Sequence, residues 1–131
     1  MSCRPFLLLF LVLYLGVSCS SQPTPEELAG KAAKEYYDYL VVGNYEAFLD
    51  GKVGADSLSA DYRQQLLQVY RHFVHKQKKA HGGIADVAVS NAKSDTLLHL
   101  TQAFLLLTFR DSVSEEIVVP MVDHNGRWYM R

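Results

Sequence analysis

The chain has 131 residues, 49% of them hydrophobic, with 14 acidic and 13 basic side chains and a formal net charge of −1. That length fits one globular domain, and the near-balance of charge gives no reason to expect a nucleic-acid partner.

The N-terminus differs sharply from the rest. Met1-Ser2-Cys3-Arg4 carries one positive charge, and Phe6 to Leu15 is an unbroken apolar run. The pattern is that of a signal peptide. A membrane-spanning helix needs about 20 apolar residues, so this run is too short to span. Small residues at Gly16 and Ser18 precede Cys19 and suit cleavage after Ser18, both by ordinary signal peptidase and by lipoprotein processing. The stretch resembles a bacterial lipobox, in which the cysteine becomes the mature N-terminus and its sulfur carries a diacylglycerol; here Leu15 stands four residues before Cys19 instead of three. The resemblance implies a signal peptide over 1–18, a lipidated Cys19 and polar tether over 19–24, and a folded domain over 25–131. With Cys3 removed, Cys19 is the only cysteine, no intramolecular disulfide forms, and the fold rests on its core.

Thr24-Pro25-Glu26-Glu27 reads as a helix start, with Thr24 as N-cap, Pro25 in the first helical position and Glu27 completing a capping box. Leu28, Ala32, Tyr36 and Leu40 then recur at helical spacing until Gly43. Asn44 to Asp50 predicts a short second helix capped by Asn44 and closed by Gly51. After a loop over 51–57, a third helix is expected from Ser59 or Asp61 to Lys79, its buried face drawn through Tyr62, Leu66, Val69 or Tyr70, and Phe73. Gly82-Gly83 stops it.

Beyond Gly83 the texture is that of strands. Ile84 to Ser90 is short and Val-rich, Asn91 to Asp95 reads as a turn, and Glu115 to Val122 alternates around Ile117, Val119 and Met121. Thr96 to Phe109 suits a buried helix or a strand by periodicity; its length and alternation at Leu98 and Leu100 favour a long strand, bent near Gln102 and apolar on both faces beyond Ala103. Asp123-His124-Asn125-Gly126 is the clearest hairpin signal, followed by a final strand from Arg127 to Met130. Pro120 fits such a sheet only where its nitrogen faces away from a partner strand.

These elements give an α+β fold with N-terminal helices on a curved four-stranded antiparallel sheet. With "YLVVGNYEAF" at the first helix junction, "GGIADVAV" opening the sheet and "VPMVDHNGRWYM" closing it, the chain resembles the nuclear transport factor 2-like (cystatin-like, polyketide-cyclase-like) cone fold, and in particular small exported lipoproteins of unknown function built on it. The resemblance implies a pocket inside the cone that some members use for ligands or catalysis and others fill with side chains.

Candidate pocket residues are Tyr36, Tyr37 and Tyr62 from the helices and Asp86 and His99 from the strands. In an enzyme, Asp86 or His99 would act as general base and a tyrosine as electrophilic donor. Against this, strand alternation turns His99 and Asp86 towards solvent, and tyrosines in the first helix are more often half-buried core. No catalytic motif of the fold maps onto the chain. The basic tract Arg71, His72, His75, Lys76, Lys78, Lys79 and His81 reads first as a solvated helix end complementing the helix dipole, with His72-x-x-His75 at most half a metal site. No metal or other cofactor is expected. The sequence therefore points to a lipid-anchored cell-envelope binding or interaction module, whose partners would be the membrane and a small hydrophobic ligand or envelope protein. The alternatives are a small-molecule isomerase, dehydratase or cyclase using the cone pocket, and a structural protein whose cone is plugged by its own aromatics.

Overall fold

The computed structural model describes residues 21–131; the expected signal peptide and Cys19 lie outside the described residues. Helix α1 (Pro25–Val41) begins as its sequence demands, with the Thr24 hydroxyl accepting from the Glu27 amide at 3.2 Å and proline in the first turn. Gly43, at φ 83°, supplies the left-handed residue just past its end. Helix α2 (Tyr45–Asp50) is capped by the Asn44 side chain, which accepts from the Ala47 amide at 3.2 Å. A 3₁₀ turn at Ala55–Ser57 precedes α3 (Ala60–His81), which is capped by Ser59 and stopped by left-handed Gly82. None of these helices is long and apolar enough to cross a membrane.

Four strands follow in a plain meander: β1 (Ile84–Asp95), β2 (Leu100–Phe109), β3 (Ser114–His124) and β4 (Arg127–Met130). All neighbours pair antiparallel in the order β1-β2-β3-β4. The α+β arrangement is as expected, but three details of the sheet differ. The strand β1 runs through Asn91–Asp95, read from sequence as a turn, because pairing with Leu100–Phe104 satisfies backbone groups that local composition leaves open. The true turn is Thr96–His99, and His99 adopts φ 53° there instead of lying in a strand. The irregularities that bend the sheet fall in β1, between Ile84 and Asp86 and between Val89 and Asn91, and not at Gln102 of β2.

One face of the sheet is buried. Along β2, Ala103, Leu105, Leu107 and Phe109 are inaccessible while Phe104, Leu106 and Thr108 are only half-buried, so the strand is not covered on both sides. The buried face meets α1, where Ala29, Gly30 and Ala33 let the helix lie close; a Cβ at Gly30 would come 3.0 Å from Val89 Cγ1. Pro120 accepts through its carbonyl from the Arg131 amide at 2.9 Å. Backbone N and O of one extended residue lie on the same edge, so the proline nitrogen faces away from β2, as its chemistry requires.

The packing of α3 corrects part of the sequence reading. Of the expected face, Leu66 and Tyr70 pack inward while Tyr62, Val69 and Phe73 are exposed, and the inward seam is completed by Leu67 and Val74. The two stripes lie one position apart on the helix. Which of them turns inward is set by how α2 and the sheet place the helix, and both are apolar enough to serve.

Candidate functional site

The interior of the cone is filled. Phe48 stands edge-on to Tyr37 (centroids 5.2 Å apart) and to Tyr70 (4.9 Å) and belongs to the same buried cluster as Leu40, Val87, Leu105 and Met130. Burial, and secondarily Tyr70, pushes the Tyr37 phenol above its ordinary pKa; burial does the same to Tyr70.

Open space lies instead at the rim. The segment after α2 docks beside β4 as a one-residue parallel bridge between Lys52 and Met130: the Val53 amide donates to the Met130 carbonyl at 2.8 Å, and the Met130 amide to the Gly51 carbonyl at 2.7 Å. This fixes Lys52 opposite the β3–β4 hairpin, whose Asn125 (φ 54°) and Gly126 (φ 83°) form the tight turn read from the sequence. Between the two lies a cleft of about 700 Å³, lined by Asp50, Lys52, Asp56, Asp123, Arg127 and Tyr129 among others. A second cleft of about 450 Å³ opens against α1, with Tyr36, Tyr39 and Trp128 in its walls, and shares Asp50 and Arg127 with the first.

The charges in this rim are held to different degrees. Asp50 accepts from Arg63 at 2.7 Å, and the same guanidinium reaches Glu46, so Asp50 is already neutralised. The Tyr36 hydroxyl, then Tyr129 and Asp50, hold the Arg127 pKa above its ordinary value; the guanidinium also lies 5.2 Å from the Tyr129 ring centroid. Lys52 is the exception. It makes no ion pair with any of the described residues, its ammonium sits 5.6 Å from the Phe48 ring centroid, and burial holds its pKa below the ordinary lysine value. A half-buried, uncompensated cation gains from an anion that enters the cleft.

The five residues expected to share a pocket are not brought together. Tyr36 lines the second cleft and donates from its hydroxyl to the Trp128 carbonyl at 2.6 Å. Tyr37 belongs to the interior packing. Tyr62 is 49% exposed on α3, Asp86 is exposed on β1 opposite Thr108, and His99 is exposed in the β1–β2 turn. His72 and His75 are exposed on α3 beside a shallow depression, and among the described residues no three His, Cys, Asp or Glu side chains are grouped to hold a metal. The rim residues Lys52, Asp123 and Arg127 were not singled out by sequence. Asp123 and Arg127 flank a hairpin that the sequence does reveal, whereas nothing in the local pattern marks Lys52.

No protein-family model matches the chain, and no curated protein matches it. Among solved structures it is similar to one from Campylobacter jejuni that carries the name NTF2-like transpeptidase, with a TM-score of 0.61 over 76% of this chain and 94% of that one, at 14% sequence identity. The fold is nuclear transport factor 2-like. At that identity the likeness speaks for the arrangement of helices on the nuclear transport factor 2-like sheet and leaves the rim residues to be argued from their own chemistry.

Proposed function

We propose that the chain is an exported, lipid-anchored binding module of the cell envelope whose ligand enters the rim cleft between the Lys52 segment and the β3–β4 hairpin. The observation that carries the cleft assignment is the Lys52 ammonium, half-buried and without an anionic partner among the described residues. Cations Lys52 and Arg127 share the cleft with carboxylates Asp56 and Asp123, so the lining suits a small zwitterion that carries a carboxylate and a cationic or donor group. The anchor follows from Cys19 behind its apolar run.

Two measurements on the full chain extracted from membranes test the two halves of this reading. Intact mass should exceed residues 19–131 by a diacylglyceryl group, and the increment should vanish in Cys19→Ala. Calorimetric titration with free amino acids and short peptides should give saturable binding that Lys52→Met removes. An unmodified Cys19 ends the anchor reading, and binding unaffected by Lys52→Met ends the cleft assignment.

Catalysis in the same cleft is the second reading, and one observation favours it. An amine whose pKa is lowered by burial loses its proton more readily and can serve as base or nucleophile. The name transpeptidase belongs to the Campylobacter jejuni protein; a related activity here would show as turnover of a peptide substrate that Lys52→Met abolishes while the fold persists.

A further inference from the structure

We propose that the β1–β2 hairpin tip is a membrane-contact element, with Leu97 and Leu98 entering the boundary between lipid headgroups and acyl chains. This rests on the lipid-anchor reading above. The chain has two hairpins at the same end of the sheet, since Asp95 pairs with Leu100, Thr101 with Met121, and His124 with Arg127. One turns on Asn125-Gly126, the polar chemistry that tight turns favour. The other puts two leucines at its apex, 90% and 54% exposed.

The apex is held in that shape. Asp95 Oδ1 accepts from the Leu97 amide at 3.0 Å and from the Leu98 amide at 3.1 Å, and His99 closes the turn in the left-handed region. The backbone is thus pinned by an aspartate, and the leucines project instead of folding back on the sheet.

The position of the apex selects the occupant. Ser94 donates to Glu26 Oε1 at 2.6 Å, which ties the hairpin to the first turn of α1. Only residues 20–24 separate Cys19 from Pro25, a stretch that reaches roughly 20 Å when fully extended. Leu97 lies three residues beyond Ser94, in the turn that closes β1, and so no more than about 10 Å from it. A bilayer holding Cys19 is therefore within reach of the tip. The basic end of α3 lies at the other end of the sheet, where the Asp111 amide donates to the His81 carbonyl at 3.2 Å, beyond the ten residues of β2 and about 30 Å away. Around the tip the carboxylates Glu26, Glu27 and Asp95 outnumber Lys93, so charge does not draw it to an anionic surface and apolar contact has to do so. Burying what remains exposed of the two leucines favours the lipid side by roughly some tens-fold or more, and the anchor converts that preference into occupancy of the tip.

The test uses the full chain purified with its acyl chains and reconstituted in phosphatidylethanolamine and phosphatidylglycerol vesicles. An environment-sensitive fluorophore is placed at Leu97→Cys or, at the opposite end, at Ser112→Cys, and nitroxide lipids serve as quenchers. The label at 97 should shift to the blue and be quenched several-fold more than the label at 112. Equal quenching overturns the proposal, as does a label at 97 that is shielded in native membranes but not in pure lipid, which would assign the tip to a protein partner. Intact mass of each sample separates the two readings: an acylated chain with an unquenched tip removes the membrane contact alone, whereas an unmodified Cys19 removes the anchor and this proposal with it.

Discussion

The interior of the cone and its rim are built from neighbouring residues to opposite ends. Phe48 and Lys52 stand four positions apart; one is buried at the centre of an aromatic cluster, and the other is a cation lining an open cleft. Inside, apolar rings fill the space that the curvature of the sheet creates, and every contact there stabilises the fold. At the rim, burial disfavours the charge on Lys52, which lowers stability; on the proposed reading that cost is recovered when a ligand binds. A packed interior thus leaves the rim, where the segment after α2 meets β4, as the place where open space and an unpaired cation coincide among the described residues.

That contrast can be broken most forcefully at Phe48. The Phe48→Ala change should cost about 3–5 kcal/mol in urea melts, and the void between Tyr37 and Tyr70 should then take up a small apolar probe that the native protein excludes. A destabilised protein that still rejects the probe would mean the interior collapses onto itself.

Next in size is the seam between the regions, at Gly51. Its φ of −77° is ordinary for any residue, but a Cβ would stand 2.4 Å from Tyr36 Cδ1, forcing the ring off its bond to the Trp128 carbonyl. Gly51→Ala should therefore lose roughly 1–3 kcal/mol and weaken ligand binding as well. If melts and titrations match the wild type, Tyr36 is not holding β4 in place.

The two regions should also part company in alkali. Tyr37 is neutral when folded and its pKa is raised, so the stability it secures is present below the ordinary tyrosine value of 10.0 and is lost as pH climbs through the higher folded value. Lys52 acts in the other sense. Its folded pKa lies below the ordinary 10.5, so the folded state is penalised while the ammonium is charged and relieved as pH rises between the two values. Thermal melts across this range should show a shallower alkaline loss for Tyr37→Phe and, for Lys52→Met, a steeper loss together with greater stability at neutral pH. Identical profiles for all three proteins would refute both assignments.

The smallest effect belongs far from both regions. Thr24→Ala removes the cap of α1 and should cost about 1 kcal/mol without touching ligand affinity, which makes it the control for stability losses alone.

Much of the fold can be read from residues that act locally. Thr24, Asn44 and Ser59 accept from backbone amides three residues on, Gly43 and Gly82 end helices, and Asn125-Gly126 makes a turn, all through chemistry confined to a few neighbours. The misread stretches have two causes. Asn91–Asp95 has turn composition but becomes strand because β2 lies beside it, a partner its local sequence does not reveal. His99 leaves the strand for a local reason hidden in an apolar run: Asp95 accepts from the amides of Leu97 and Leu98, two and three residues on, and holds the turn.

The candidate site divides in the same way. Its hairpin is visible in the sequence, yet of the five expected pocket residues Tyr36 alone lines a rim cleft, while Tyr37 lies in the interior packing, Tyr62 on the outer face of α3, Asp86 at an exposed strand position and His99 in a turn, because residue type says nothing of which way an element is rotated. By itself the sequence determined the order of helices and strands, the places where the helices stop, and the apolar segment ahead of Cys19, since these follow from covalent geometry, capping and local hydrophobicity. Only the tertiary structure decided that Leu67 and Val74 face inward while Tyr62 and Phe73 do not, that Tyr70 and not Val69 is the buried one of that pair, and that Lys52 meets Asp123 and Arg127 across a cleft. Such choices are made by packing between elements far apart in the chain, where the burial of one apolar stripe or another is settled by the whole assembly.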